Sequence, residues 1–217
     1  MALSFIKNLP GLGPALVRAR DCYRRSRGTR RLARTLAQHP GPRRIVLGAA
    51  GIHDDGWIPT DIEYLNLLRP PDWERLFMPG SIDALLAEHV WEHLTAAEGA
   101  AAAALCYKYL RPGGYLRLAV PDGLHPSPAY REWVRVGGSG AGAHDHKVLY
   151  THRTFSTLFE PAGFRCQLLE YFDEHGVFHA EEWSAQGGTI LRSKRFDERN
   201  RDGQLNYTSI VMDAYKD

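Results

Sequence analysis

Arg44-Ile45-Val46-Leu47-Gly48-Ala49-Ala50-Gly51, with Gly56-Trp57-Ile58-Pro59-Thr60-Asp61-Ile62 close behind it, is the stretch on which the fold turns. The apolar run before Gly48 predicts a short buried strand ending in a glycine turn, and 57–62 predicts a second extended piece. Only eight residues, Ala49 to Gly56, separate Gly48 from Trp57, whereas a parallel crossover ordinarily spans a dozen or more. The expectation is a parallel pair whose first crossover helix is reduced or missing.

Downstream, Ser81-Ile82-Asp83-Ala84-Leu85-Leu86-Ala87-Glu88 predicts another core strand. Thr95-Ala96-Ala97-Glu98 has the spacing of a capping box, in which the threonine and the glutamate satisfy each other's orphan amides. It opens an alanine-rich helix to about Leu110, stopped by Arg111-Pro112-Gly113-Gly114. Residues 115–120 predict a strand ended by Pro121, and 151–162 a helix stopped by Gly163. Residues 164–172 and 206–215 predict two long strands with nearly no helix between them. Strands alternating with helices predict an α/β fold of three layers, its sheet mostly parallel with an antiparallel C-terminal edge strand.

Upstream the charge is lopsided. The 217 residues carry a net charge of +2, yet residues 1–44 hold eleven Lys/Arg and one acid, so that segment is +10 and the rest −8. Leu3, Phe5, Ile6, Leu9, Leu12, Leu16 and Val17 give the segment an apolar start before its arginines. Two readings follow: peripheral attraction to an anionic membrane surface, or a solvated helical arm pairing with the acidic body. Tyr23 is the one aromatic among the arginines, so no specific nucleic-acid binding is expected. His39-Pro40-Gly41-Pro42 is a breaker cluster, dividing a basic arm (1–40) from an α/β domain (41–217). Cys22, Cys106 and Cys166 are widely spaced, which argues against a disulfide scaffold or a cysteine-based zinc site. With no apolar run of spanning length and no signal-peptide core, a cytoplasmic protein is expected, the arm placing it at most against the inner membrane surface.

The two opening motifs resemble those of class I S-adenosylmethionine-dependent methyltransferases, and more closely a compact bacterial subgroup with a shortened first crossover. Glu88-His89-Val90-Trp91-Glu92-His93-Leu94 resembles that family's motif after the fourth strand. Leu110 to Leu116, with Val120-Pro121-Asp122, resembles its turn into the fifth strand. The similarity runs on through Asp145-His146-Lys147-Val148-Leu149-Tyr150 and the tail from Arg192 to Tyr215, covering about residues 43–217.

The resemblance implies a Rossmann-like methyltransferase sheet, S-adenosylmethionine as cofactor, and a site outside the carboxyl ends of the strands. Cofactor contacts are then expected from Gly48, Ala49, Ala50 and Gly51, from Asp61 with Ile62, and from Glu88 and His89. Ala49 and Ala50 depart from the family's alternating glycines, which implies a narrower turn. Asp61 stands where an acid accepts from both ribose hydroxyls, a task suited to an acceptor-only carboxylate. Trp73 is expected near the adenine, where its ring could stack.

Methyl transfer is an in-line displacement driven mainly by alignment, with a base needed for weak nucleophiles. His146 is the first candidate base, because it follows Gly137-Gly138-Ser139-Gly140-Ala141-Gly142, a stretch that suits a substrate lid. His89 and His125 are alternatives, Asp145 could orient a histidine, and Tyr130 and Tyr150 could line the pocket. Arg192, Lys194 and Arg195 read either as an anion-binding group or as a solvated face. The acceptor expected is a small molecule or a saccharide intermediate.

His89-Val90-Trp91-Glu92-His93 also satisfies the H-x-x-E-H zinc pattern, with His125, His144, His146, His175, His179 and Glu181 as further ligands. That pattern needs one continuous helix, which the capping box at Thr95 interrupts, so the leading reading holds no metal. The alternatives are a metal-dependent enzyme using the histidine cluster, His144-Asp145-His146 with His175 or His179 among the options, or a non-catalytic binding protein retaining the fold.

Overall fold

A computed structural model describes residues 26–51 and 54–217; the apolar start of the arm and its first arginines lie outside the described residues. The described strands are β1 (Arg44–Leu47), β2 (Ile58–Pro59), β3 (Ile82–Glu88), β4 (Leu110–Pro121), β5 (Arg165–Phe172), β6 (Phe178–Ala180) and β7 (Ser209–Tyr215). They form one sheet in the order β2-β1-β3-β4-β7-β5-β6. Neighbours from β2 through β4 are parallel, β7 runs antiparallel to both β4 and β5, and β6 is antiparallel to β5. The mostly parallel Rossmann-like sheet is thus present. Its C-terminal strand is antiparallel as expected but sits inside the sheet, and the edge belongs to β6, which the sequence did not announce.

The described helices are α1 (residues 26–38), α2 (Pro70–Leu76), α3 (Ala96–Tyr109), α4 (Pro128–Val134) and α5 (His152–Phe159). At the head of α3, Glu98 N donates to Thr95 Oγ1 and Thr95 N to Glu98 Oε2 (2.9 Å), so the capping box forms. The helix buries Gly99, Ala102, Ala103, Cys106 and Tyr109, a helical stripe of mostly small residues that lets it lie close against its neighbours. Between β1 and β2 the described residues form no helix: Gly48, Ala50, Gly51 and Gly56 all have positive φ and turn the chain back so that Ile45 pairs with Ile58.

Strand alternation divides the core in two. Ile45, Leu47, Leu85, Leu116, Leu118, Ile210 and Met212 join a large cluster with residues of α1, α2, α3 and α5; from α1 come Leu32 and Leu36. Val46, Ala84, Leu86, Ala119, Leu169 and Val211 join a smaller one with Trp57, Ile190 and Trp183. Burying a side chain of this size stabilises by about 1.5–3 kcal/mol. The third layer is built differently from expectation: among the described residues the second face is covered by an irregular segment, 181–208, containing only two short 3-10 turns.

Arg117 holds that segment down. It lies on β4 with its side chain 5% exposed, paired with Asp213 of β7 through two bonds of 2.8 Å. Its Nη1 donates to Ser184 O (2.8 Å) and Gly188 O (2.9 Å), and its guanidinium lies 4.9 Å over Trp183.

Candidate functional site

The turn after β1 opens a cleft at the carboxyl ends of the parallel strands. Gly48 (φ +64) is obligatory on two counts, since an added Cβ would also lie 2.8 Å from Val90 Cγ2. Ala50 takes φ +46 despite its side chain, a strained conformation that suits a glycine better. Around this turn lies a cleft of about 650 Å³ lined by Gly48, Ala49, Ala50, Glu88 and His89 together with Arg192, Phe196 and Arg199. A neighbouring hollow of about 600 Å³ contains Gly51, Trp57, Asp61 and Tyr64, and Ala49 lines both. The fold therefore gathers Gly48 to Gly51, Asp61, Glu88 and His89 into two adjoining hollows.

Each acid at this rim has a defined setting. Asp61 Oδ1 accepts from Ile62 N (2.8 Å), and Ile62 is 64% exposed beside it. Glu88 accepts from Leu191 N (3.1 Å) and Arg192 N (2.7 Å), while Asp54 accepts from Thr189 N (2.7 Å). These bonds dock the 181–208 segment at the mouth of the cleft. Arg192 therefore faces the cleft, whereas Lys194 and Arg195 lie over the rings of Phe178 and Phe196. Asp54 carried no sequence signal, because its partner Thr189 lies far along the chain.

His89 forms the wall between cleft and interior, also with a left-handed backbone (φ +54). Its Nε2 is 3.0 Å from Ser209 Oγ and its Nδ1 is 3.1 Å from Glu92 Oε1. The second approach sets the ring against one oxygen of the carboxylate. The Ser209–His89–Glu92 line has the connectivity of a nucleophile triad, yet Ser209 is fully buried in β7, so it positions the ring. Glu92 is 1% exposed; burial opposes its ionisation, but the adjoining His89 and His93 bring its pKa below the usual carboxylate value.

The remaining expectations fare unevenly. His146 is buried, and burial pushes its pKa below the usual imidazole value although its Nδ1 sits 2.8 Å from Val134 O. It packs edge-on against His93, with Glu92 close by. Asp145 is exposed, pairing with Lys147 (3.0 Å) and lying 3.5 Å from His93 Nδ1. His125 is spent on structure: Nδ1 accepts from Ser127 N (3.2 Å), and Nε2 faces Leu205 O (3.1 Å). Tyr130 and Tyr150 are buried side chains. Trp73 is a correction: it is wholly buried and stacked on Tyr109 at 5.2 Å, so it cannot meet an adenine. The glycine run 137–142 is a compact turn, with Gly137 N bonded to Ala143 O (3.0 Å) and Gly140 N to Trp133 O (2.9 Å).

No family model matches the chain, and no curated protein matches it either. Among solved structures, it is similar to the chain in a complex between the Haloferax volcanii Trm112 methyltransferase activator and a putative methyltransferase. The TM-score there is 0.47 at 14% identity, over 91% of this chain and 94% of that one. A SAM-dependent methyltransferase from Archaeoglobus fulgidus gives 0.46 at 14% identity, over 88% and 92%. A SAM-dependent methyltransferase from Thermotoga maritima, described as a possible histamine N-methyltransferase, gives 0.48 at 14%, over 86% and 88%. At such identities no site residue is carried from one protein to another.

Proposed function

We propose that this chain is an S-adenosylmethionine-dependent methyltransferase acting on a small molecule or a saccharide intermediate. The observation that carries the reading is the joining of the Gly48–Gly51 turn, Asp61, Glu88 and His89 at the carboxyl rim of the parallel strands. The residues fit an adenosine. Space beside Gly51 is open, since an added Cβ there would meet nothing within 4 Å. Asp61 offers an acceptor-only group to a pair of ribose hydroxyls. When bound, the cofactor supplies an electrophilic methyl on a positively charged sulfur. The chain's part is to align the acceptor, with Arg192 beside Glu88 at the rim, and to take its proton where the acceptor is a hydroxyl. His89 is the histidine at the cleft wall and the base in this reading, its Nε2 exchanging Ser209 Oγ for the acceptor. S-adenosylhomocysteine should raise the melting temperature of the full chain. Asp61→Ala should weaken its binding at least about tenfold, the worth of one hydrogen bond to a charged group. No shift at millimolar ligand with the unaltered chain ends the reading.

The basic arm supports a second, compatible proposal. Arg27, Arg30, Arg31 and Arg34 recur at helical spacing along one side of α1, beside Thr35 and Gln38, and form a face suited to anionic headgroups at the inner membrane surface. Co-sedimentation with phosphatidylserine vesicles should fall steeply when all four become glutamate. Unchanged binding would return these arginines to the role of a solvated face.

A further inference from the structure

We propose that Glu92, His93 and His146 form a binding site for one divalent transition metal of the zinc type. One ligand atom from each lies within 4.8 Å of the others. A tetrahedral zinc site holds its ligand atoms about 3.4 Å apart, so a small inward turn of these side chains completes it.

Two independent features point to a cation there, and a third holds its ligands together. Glu92 is almost wholly buried, and neither carboxylate oxygen has a hydrogen-bond partner among the described residues. A buried carboxylate calls for a positive partner, and His89 Nδ1, 3.1 Å from Oε1, meets one oxygen and leaves Oε2 for a metal. The histidines, moreover, are held as ligands are held. His146 Nδ1 lies 2.8 Å from Val134 O, which places its proton there and leaves the Nε2 lone pair for a metal. His93 Nδ1 faces Asp145 Oδ2 at 3.5 Å, leaving its Nε2 for the same purpose. Finally, the two ligand-bearing turns are bound to each other, since Lys147 N donates to Glu92 O at 2.7 Å.

The site is not the helical zinc-peptidase arrangement that the H-x-x-E-H pattern suggests. Trp91–His93 is a single 3-10 turn, and the third ligand comes from the turn at 143–146. Two imidazoles and one carboxylate suit zinc or cobalt better than calcium or magnesium. The His93 side chain is 32% exposed, which gives a fourth, water ligand access.

The site stands independently of the methyltransferase reading, and its test uses no cofactor. Full-length chain made without an affinity tag and stripped with chelator is titrated with cobalt(II) chloride, then with zinc chloride. The expected result is the intense visible absorption of tetrahedral cobalt, saturating at about one metal per chain and abolished by zinc. Glu92→Gln and His146→Ala should lose the signal while keeping the far-ultraviolet spectrum of the folded chain. Asp145→Asn should weaken binding by about 10–100-fold, as loss of an outer partner does. His179→Ala, on the edge strand β6, should bind as the unaltered chain does. Should a variant fail to fold, the unaltered chain decides: zinc must raise its melting temperature. A stripped chain that shows no tetrahedral spectrum and no zinc-dependent shift overturns the proposal, as does undiminished binding in a folded Glu92→Gln chain.

Discussion

Replacing Arg117 with alanine should destabilise the protein by about 3–5 kcal/mol, the usual result of removing one partner of a buried ion pair. Among the described residues, the carboxylate of Asp213 would keep only the Tyr215 hydroxyl, at 3.2 Å, as a side-chain donor. Ser184 O and Gly188 O would each lose a donor as well. The two effects separate by design. Arg117→Met combined with Asp213→Leu replaces the pair by apolar groups and should recover much of the stability, because no charge is then stranded. It should not recover the anchoring of 181–188, so limited proteolysis should cut within 181–208 faster in both variants. Urea unfolding and the cleavage map read the two quantities. A single variant that loses less than about 1 kcal/mol would show the pair to be replaceable by water.

Trp73→Ala should cost a similar 3–5 kcal/mol, the range for emptying a large aromatic site in a core. For a chain of this size that is a fall of roughly 6–20 °C in melting temperature. The ring is enclosed by Phe77 at 6.0 Å and Tyr109 at 5.2 Å, both buried. Its Nε1 has no hydrogen-bond partner among the described residues, so Trp73→Phe removes an unsatisfied donor and should cost distinctly less. The affinity of the folded Trp73→Phe chain for S-adenosylhomocysteine should equal that of the unaltered chain. A selective loss of affinity without loss of stability would put the ring back beside the ligand.

The contrast between Trp73 and Asp61 shows what sequence can carry. The Gly48–Gly51 turn and Asp61 are legible because each follows a strand directly, and a strand's carboxyl end fixes the side of the sheet it serves. A tryptophan near a strand looks the same locally whether it faces ligand or core; here Tyr109, on a different helix, decides. Arg117 likewise reads as one more residue of its strand. Its meaning comes from Asp213 across the ladder, and no local pattern records that partnership. Both unannounced helices, α2 and α4, begin with proline, which reads as a breaker in isolation but is well placed in a first helical turn. The histidines were visible as a group, yet their sorting was not. His125 became a strut, His89 a wall, and His146 a neighbour of Glu92, according to which backbone carbonyl or carboxylate each one met.

The interior place of β7 has a consequence for how the chain assembles. β4 and β5 have no direct pairing and are joined only through a strand that comes later in sequence than either. Until β7 inserts, β4 presents a bare row of amides and carbonyls, and β5 with β6 stands as a detached ribbon. Such open rows are templates for pairing between molecules. A polypeptide interrupted before Ser209 would therefore be left with two half-sheets, each with an unpaired inner edge, which the seven residues of β7 otherwise join.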